Sequence, residues 1–399
     1  MGESYHLGMV KQIVNAWPER CIAAIQIKGG YLDIQSTSVP ILTAIGTCDE
    51  WDQEKKDMLN QWKDISFYHK HERRRAKTPE WPGSLLIEGG SGHFECTEPM
   101  ARIIAQYIRA AAKARLSPDG SPALRPVNLD DGYVAGLPVP GAKTVPPTRY
   151  KDCPPDARSL RWYFDGPLAK AARAMADINW SAQTQVPVFA DAAGKAIPFG
   201  NRGISSPLPF VAGDDGVTLQ LGATFLEKIP EGFVHAGTTL GHAPGQPAVE
   251  WICGPLAPLG DNRFRIALDR TWPDSPVYLR VWHPGDRTFR LSVQPGELKL
   301  NPNTQGTPQK ITFDPVPDQK IGVKEIQLHA TSDTGLPVRF FVRAGSAEIH
   351  GDRLVFTAIP TRTKLPVTVT VAAWQWGRAS GPAVQMAEIV ERSFQVCRE

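Results

Sequence analysis

The sequence predicts a multidomain protein in which an α/β unit, a parallel sheet with helices, is followed by two β-sandwich-like domains. Three observations predict it. Short apolar runs alternate with helical patterns through residues 1–116, which is how strands and helices of a parallel sheet read. A stretch rich in Pro, Gly and Asp then interrupts the periodicity from Ser117 to about Pro155. After Val186, alternating apolar and polar runs are separated by turn residues at short intervals, as in antiparallel sheets. At 399 residues the chain also exceeds one ordinary core, so two or three domains are expected.

The elements follow in order. Leu7, Val10, Ile13, Val14 and Trp17 recur at helical spacing, and Pro18 ends the pattern, giving an amphipathic helix over 4–17. CIAAIQI (21–27) and VPILTAIG (39–46) are apolar runs of the kind that form strands buried on both faces, with Gly29-Gly30 between them. Polarity rises between Asp52 and Glu72, where a helix fits. SLLIE (84–88) is a third buried strand, and PMARIIAQYIRAAAKARL from Pro99 is a second strongly amphipathic helix. LRWYFDGPLAKAARAMADI (160–178) opens with aromatics and continues as a helix; Trp162, Tyr163 and Phe164 are read as packing residues. The expected division is 1–116 for the α/β unit, 117–185 for a connection plus helix, 186–304 for a middle β-sandwich and 305–399 for an immunoglobulin-like β-sandwich. The last contains no Cys-Trp-Cys pattern, which disfavours the antibody type.

Composition excludes several classes. Hydrophobic residues at 42% and charged residues at 21% are those of a folded chain, and a formal charge of +3 gives no electrostatic reason to expect nucleic acid or an anionic membrane. No stretch is apolar enough to span a bilayer, and residues 1–15 lack the pattern of a secretory signal. The six cysteines are widely spaced and read as isolated thiols, with no close pair to suggest a metal or redox site. The basic cluster from Lys70 to Lys77 is read as a solvated helix end, and His69 and His71 as surface residues.

Three local features occur in an order that matters. Gly2-Glu3-Ser4-Tyr5-His6 sits at the start of the first helix, where the dipole and the backbone N–H of Tyr5 could stabilise an oxyanion. Ser4 could instead serve only as a helix N-cap. The strand VPILTAIG runs into Thr47-Cys48-Asp49, placing a carboxylate just past a strand end; Asp49 could equally cap the next helix, and Asp52 could replace it as the acid. SLLIE leads into Gly89-Gly90-Ser91-Gly92-His93, an imidazole in a Gly-rich turn. Ser, then Asp, then His is the chain order of a serine-hydrolase triad on an α/β sheet.

At these residues the sequence resembles the α/β-hydrolase superfamily, of the esterase or poly(hydroxyalkanoate)-depolymerase-like kind. WPERCIAAIQIKGG is similar to the helix end and strand after that family's nucleophile, GTCD to the strand end bearing its acid, and GSGHFE to its histidine loop. The segment resembles the second half of such a domain, so the earlier strands are expected upstream and Met1 is read as an internal start in a longer reading frame. His6 departs from the small residue usual two places after the nucleophile. The resemblance implies ester hydrolysis through an acyl-serine, with Ser4 as nucleophile, His93 as general base and then acid, Asp49 orienting the imidazole, and neither metal nor organic cofactor. It implies a small-molecule or polymeric ester as partner.

The segment TFDPVPDQKIGVKEIQLHATSDTGLPVRFFV resembles the bacterial Ig-like modules appended to exported hydrolases, which implies an exported protein with cell-surface or polysaccharide contact through its β domains. Two further readings stand beside the esterase: a catalytically inactive surface or carbohydrate-binding protein acting through those domains, and a serine peptidase of the same fold.

Overall fold

The computed structural model describes residues 1–3, 6–28, 34–47, 57–59, 66–89, 91–93, 96–139, 144–199, 206–274 and 276–398, with the side chains of 66–69 excepted. The chain forms two compact units. The first takes Met1–Pro207, Ala223–Ile252 and Arg280–Gly296; the second takes Leu208–Gly222, Cys253–Leu279 and Glu297–Glu399. Residues 186–304, expected as one middle sandwich, are therefore shared between the two units.

The first unit is built on four parallel strands in sequential order: β1 (Gly2–Glu3), β2 (Ala24–Ile27), β3 (Ile41–Gly46) and β4 (Gly83–Glu88). Helices α1 (Leu7–Ala16) and α3 (Glu98–Arg115) fall where the periodicity puts them, within a few residues, whereas α2 (Ser66–Lys77) overlaps only the end of the helix expected between Asp52 and Glu72, where residues 57–59 are not helical. The strands read as unbroken apolar runs because both faces are covered. Ile25, Ile27, Leu42, Ala44 and Leu86 pack with Met100, Ile104 and Tyr107 of α3, while the alternate residues Ala24 and Ile41 pack with Val10 and Val14 of α1. Burial of each such Leu or Ile contributes about 1.5–3 kcal/mol. Helix α3 begins at an N-cap, Thr97, whose hydroxyl accepts from the Met100 N–H at 3.4 Å, and Pro99 occupies the first turn, where no intrahelical donor is lost.

Residues 117–185 do more than connect. They form a three-stranded antiparallel sheet of β5 (Tyr133–Ala135), β6 (Thr148–Arg149) and β7 (Arg161–Tyr163), then helix α4 (Gly166–Ala176) capped by the Asp165 carboxylate, which accepts from Leu168 N–H at 2.8 Å. Trp162 and Tyr163 are buried, as expected of packing residues. Tyr163 donates to the Leu85 carbonyl at 2.6 Å, and Leu168, Ala169 and Ala172 of α4 join the core on the parallel sheet. Strands of two or three residues with Pro and Gly between them leave no legible period, which is why the sequence looks like a linker here.

The basic helix α2 is not simply solvated. Arg75 is buried and donates to the carbonyls of Leu160 at 3.0 Å, Pro79 at 2.7 Å and Arg158 at 2.7 Å, and to that of Trp81. His71 is buried as well, its ring 5.0 Å from that of Trp81, and Glu72 pairs with Arg161 at 3.1 Å. Long basic side chains here satisfy chain ends that have no ladder partner.

In the second unit, Arg339–Ala344, Val367–Trp374 and Val390–Cys397 form an antiparallel sheet extended by Gln319–Lys320, while Glu325–Gln327, Arg353–Phe356 and Ala347–His350 form another. Val369, Val371 and Ala373 alternate inward and meet Leu354, Phe313 and Phe394 in one apolar core. This is β-sandwich architecture, with period-two burial on its central strands.

Candidate functional site

Parallel order places the carboxyl ends of β1, β2, β3 and β4 side by side, the position at which open α/β sheets hold their ligands. The register fixes the alignment: Glu3 pairs with Ile27, Ile27 with Ala44, and Gly46 with Glu88. The ladder continues past the strands, with Lys28 N–H donating to Ala44 O at 2.8 Å and Thr47 N–H donating to Glu88 O at 3.1 Å.

A cluster of buried polar side chains occupies this edge: Lys28, Thr47, Glu88, Ser91, His93 and Thr97. Such groups persist in an interior only when partnered. The Lys28 ammonium donates to Ser91 Oγ at 2.9 Å and lies 3.8 Å from Glu88 Oε2, with both charged side chains almost wholly shielded from solvent. Thr97 donates its hydroxyl to Glu88 Oε1 while accepting from α3, so one residue caps the helix and satisfies one of the two carboxylate oxygens. Burial pushes the Cys96 thiol pKa up; Lys28 pulls it down and Glu88 and Glu3 push it up. The net rise keeps Cys96 a thiol, the weaker nucleophile.

Gly46 explains how the loop after β4 comes so close. A Cβ at this position would lie 2.1 Å from Ser91 O and 2.6 Å from Ser91 Oγ. Only a residue without a side chain lets β3 end against that loop.

Of the residues the sequence singles out, His93 is described and is buried, two residues beyond Ser91. Ser4, Tyr5, Asp49 and Asp52 lie outside the described residues. The N-cap position of α1 is His6, with no side-chain cap. His71, read from sequence as a surface residue, is instead enclosed; burial first, then Arg75 and Arg74, lower its pKa to about 3. Cys21, Cys96, Cys153, Cys253 and Cys397 are free thiols. Lys28, Glu88, Ser91 and Thr97 escape the sequence reading. The available signal is a lysine and a glutamate closing two otherwise apolar strands, where exposed chain would be expected but adjoining loops cover them.

No protein-family model matches the chain, and no curated protein matches it. Among solved structures, human protocadherin-24 EC1-2 is similar at 12% identity and a TM-score of 0.19, over 53% of this chain and 98% of that one. Mouse cadherin-23 EC22-24 is similar at 12% identity and a TM-score of 0.16, over 54% of this chain and 65% of that one. The titin domains z1z2 in complex with telethonin are similar at 14% identity and a TM-score of 0.15, over 54% of this chain and 98% of that one. At these scores the likenesses carry no argument about fold or function. Among the described residues, no helix is long and apolar enough to cross a membrane.

Proposed function

We propose that the first unit is an α/β-hydrolase-type domain that hydrolyses carboxylic esters through an acyl-serine. The observation that carries this reading is the strand order: β1, β3 and β4 end on one edge of one parallel sheet, and in sequence they are followed within five residues by Ser4, Asp49 and His93. In the proposed step the Ser4 hydroxyl attacks the ester carbonyl and its proton passes to His93. The Tyr5 N–H stabilises the oxyanion. The tetrahedral intermediate then collapses, and the alcohol leaves with the proton returned by His93. Water, deprotonated by the same imidazole, releases the acid and restores Ser4. Asp49 orients the ring throughout. The burial of His93 supports this role, because an interior imidazole in a Gly-rich turn is held in one orientation.

The test is labelling of the purified chain with an active-site-directed fluorophosphonate, followed by mass mapping. Modification of the peptide carrying Ser4, lost in Ser4→Ala, is the expected result. A folded chain that takes no label and turns over no p-nitrophenyl ester would overturn the reading and leave a binding role for the β domains. An exported location and polysaccharide contact through the second unit belong to the same proposal and rest on the Ig-like resemblance of its sequence.

A further inference from the structure

We infer that Lys28 is a positioning residue that sets the loop carrying His93. The inference deepens the ester-hydrolase reading and rests on it for the catalytic consequence alone.

Lys28 stands one residue past β2, with a left-handed backbone at φ 46°. A residue with a Cβ is disfavoured there, and glycine would avoid that cost. Two glycines follow at once in the sequence, so a left-handed turn did not require lysine at this position. What the lysine supplies is its ammonium. It passes the end of β3 and reaches the segment after β4, 63 residues on, donating to Ser91 Oγ at 2.9 Å and approaching Glu88 at 3.8 Å. Glu88 in turn accepts from Thr97 at the start of α3. The chain Lys28, Glu88, Thr97 thus grips the loop at its root and at its far end, while the Lys28–Ser91 bond holds its middle. The missing Cβ of Gly46 lets Ser91 settle against β3. His93 is two residues from that anchor.

Lys28 acts by holding Ser91, and through it the histidine, through the 2.9 Å bond from its ammonium to Ser91 Oγ. Misplacement of a reacting group by about 1 Å costs on the order of 100-fold in rate, and that is the scale expected when the anchor is removed.

The experiment uses the full chain and four variants: Lys28→Met, Ser91→Ala, these two combined, and Lys28→Met with Glu88→Gln, the last removing both charges so that no carboxylate is stranded in the interior. Two readouts are taken. The first is hydrogen exchange of the amides from Ser91 to His93, expected to quicken at least about 10-fold in every variant, while the amides of α3 keep their wild-type protection. The second is ester turnover, expected to lose about 100-fold in kcat with KM unchanged; combining Lys28→Met with Ser91→Ala should cost no more than either alone. Unchanged exchange over 91–93 in the doubly neutral variant overturns the inference, as does wild-type kcat in Lys28→Met. If the wild-type chain shows no turnover while the exchange effect appears, the hydrolase reading fails and the loop anchor stands.

Discussion

At the scale of single residues, the candidate site depends on what cannot be enlarged as much as on what reacts. Gly46→Ala introduces a methyl where Ser91 O and Oγ already lie at 2.1 and 2.6 Å. The loop must move, and overpacking of this kind costs about 1–3 kcal/mol. A lowered midpoint in urea unfolding, together with loss of ester turnover, is expected; a variant with wild-type stability would show that the loop has slack. His93→Ala should abolish turnover while leaving the unfolding free energy within about 1 kcal/mol of wild type, since removal of a side chain that also fills buried space has some packing cost. Retained turnover would transfer the base to another group. The histidine was legible in the sequence because an imidazole in a Gly-rich turn after an apolar strand has a chemical explanation more readily than a structural one. Lys28 was not, because a charged residue at a strand end reads as a return to solvent. Only the tertiary fold shows that neighbouring chain covers it.

At the scale of elements, strands and helices with a long, clear period appeared where the sequence puts them. Helix α3 buries Met100, Ile104, Tyr107, Ala111 and Arg115, a stripe at helical spacing. Residues 117–185 defeated the same reasoning because β5, β6 and β7 are only two or three residues long, too short to show alternation. Helix α2 shows a different failure. Its charge suggested solvent, yet it docks through Arg75 and His71. That docking makes a pH-dependent prediction. His71 has its folded pKa lowered to about 3 by burial and by Arg75 and Arg74, against about 6.5 in the unfolded chain. The unfolded state therefore binds the extra proton between these values. The contribution of a neutral His71 is fully present above pH 6.5 and is lost as pH falls toward 3, at up to about 1.4 kcal/mol per pH unit. His71→Phe removes that proton, so its unfolding free energy should fall less steeply than wild type between pH 6.5 and 4. Parallel curves for the two proteins would show that His71 is not enclosed in solution.

At the scale of the whole molecule, the two units interleave in sequence. The chain changes unit at 207/208, 222/223, 252/253, 279/280 and 296/297, so the residues 186–304 contribute to both. The last 95 residues differ. Every side chain of their apolar core, from Ile311 and Phe313 through Leu354, Val369 and Val371 to Phe394 and Val396, lies within residues 305–399. A core whose members are all local in sequence needs no partner from elsewhere to exclude water. The fragment 305–399 should therefore give a β-type circular dichroism spectrum and one cooperative thermal transition, the mark of a small domain that folds as a unit. A spectrum without β structure, or a transition that is not cooperative, would show that this core depends on chain from outside 305–399.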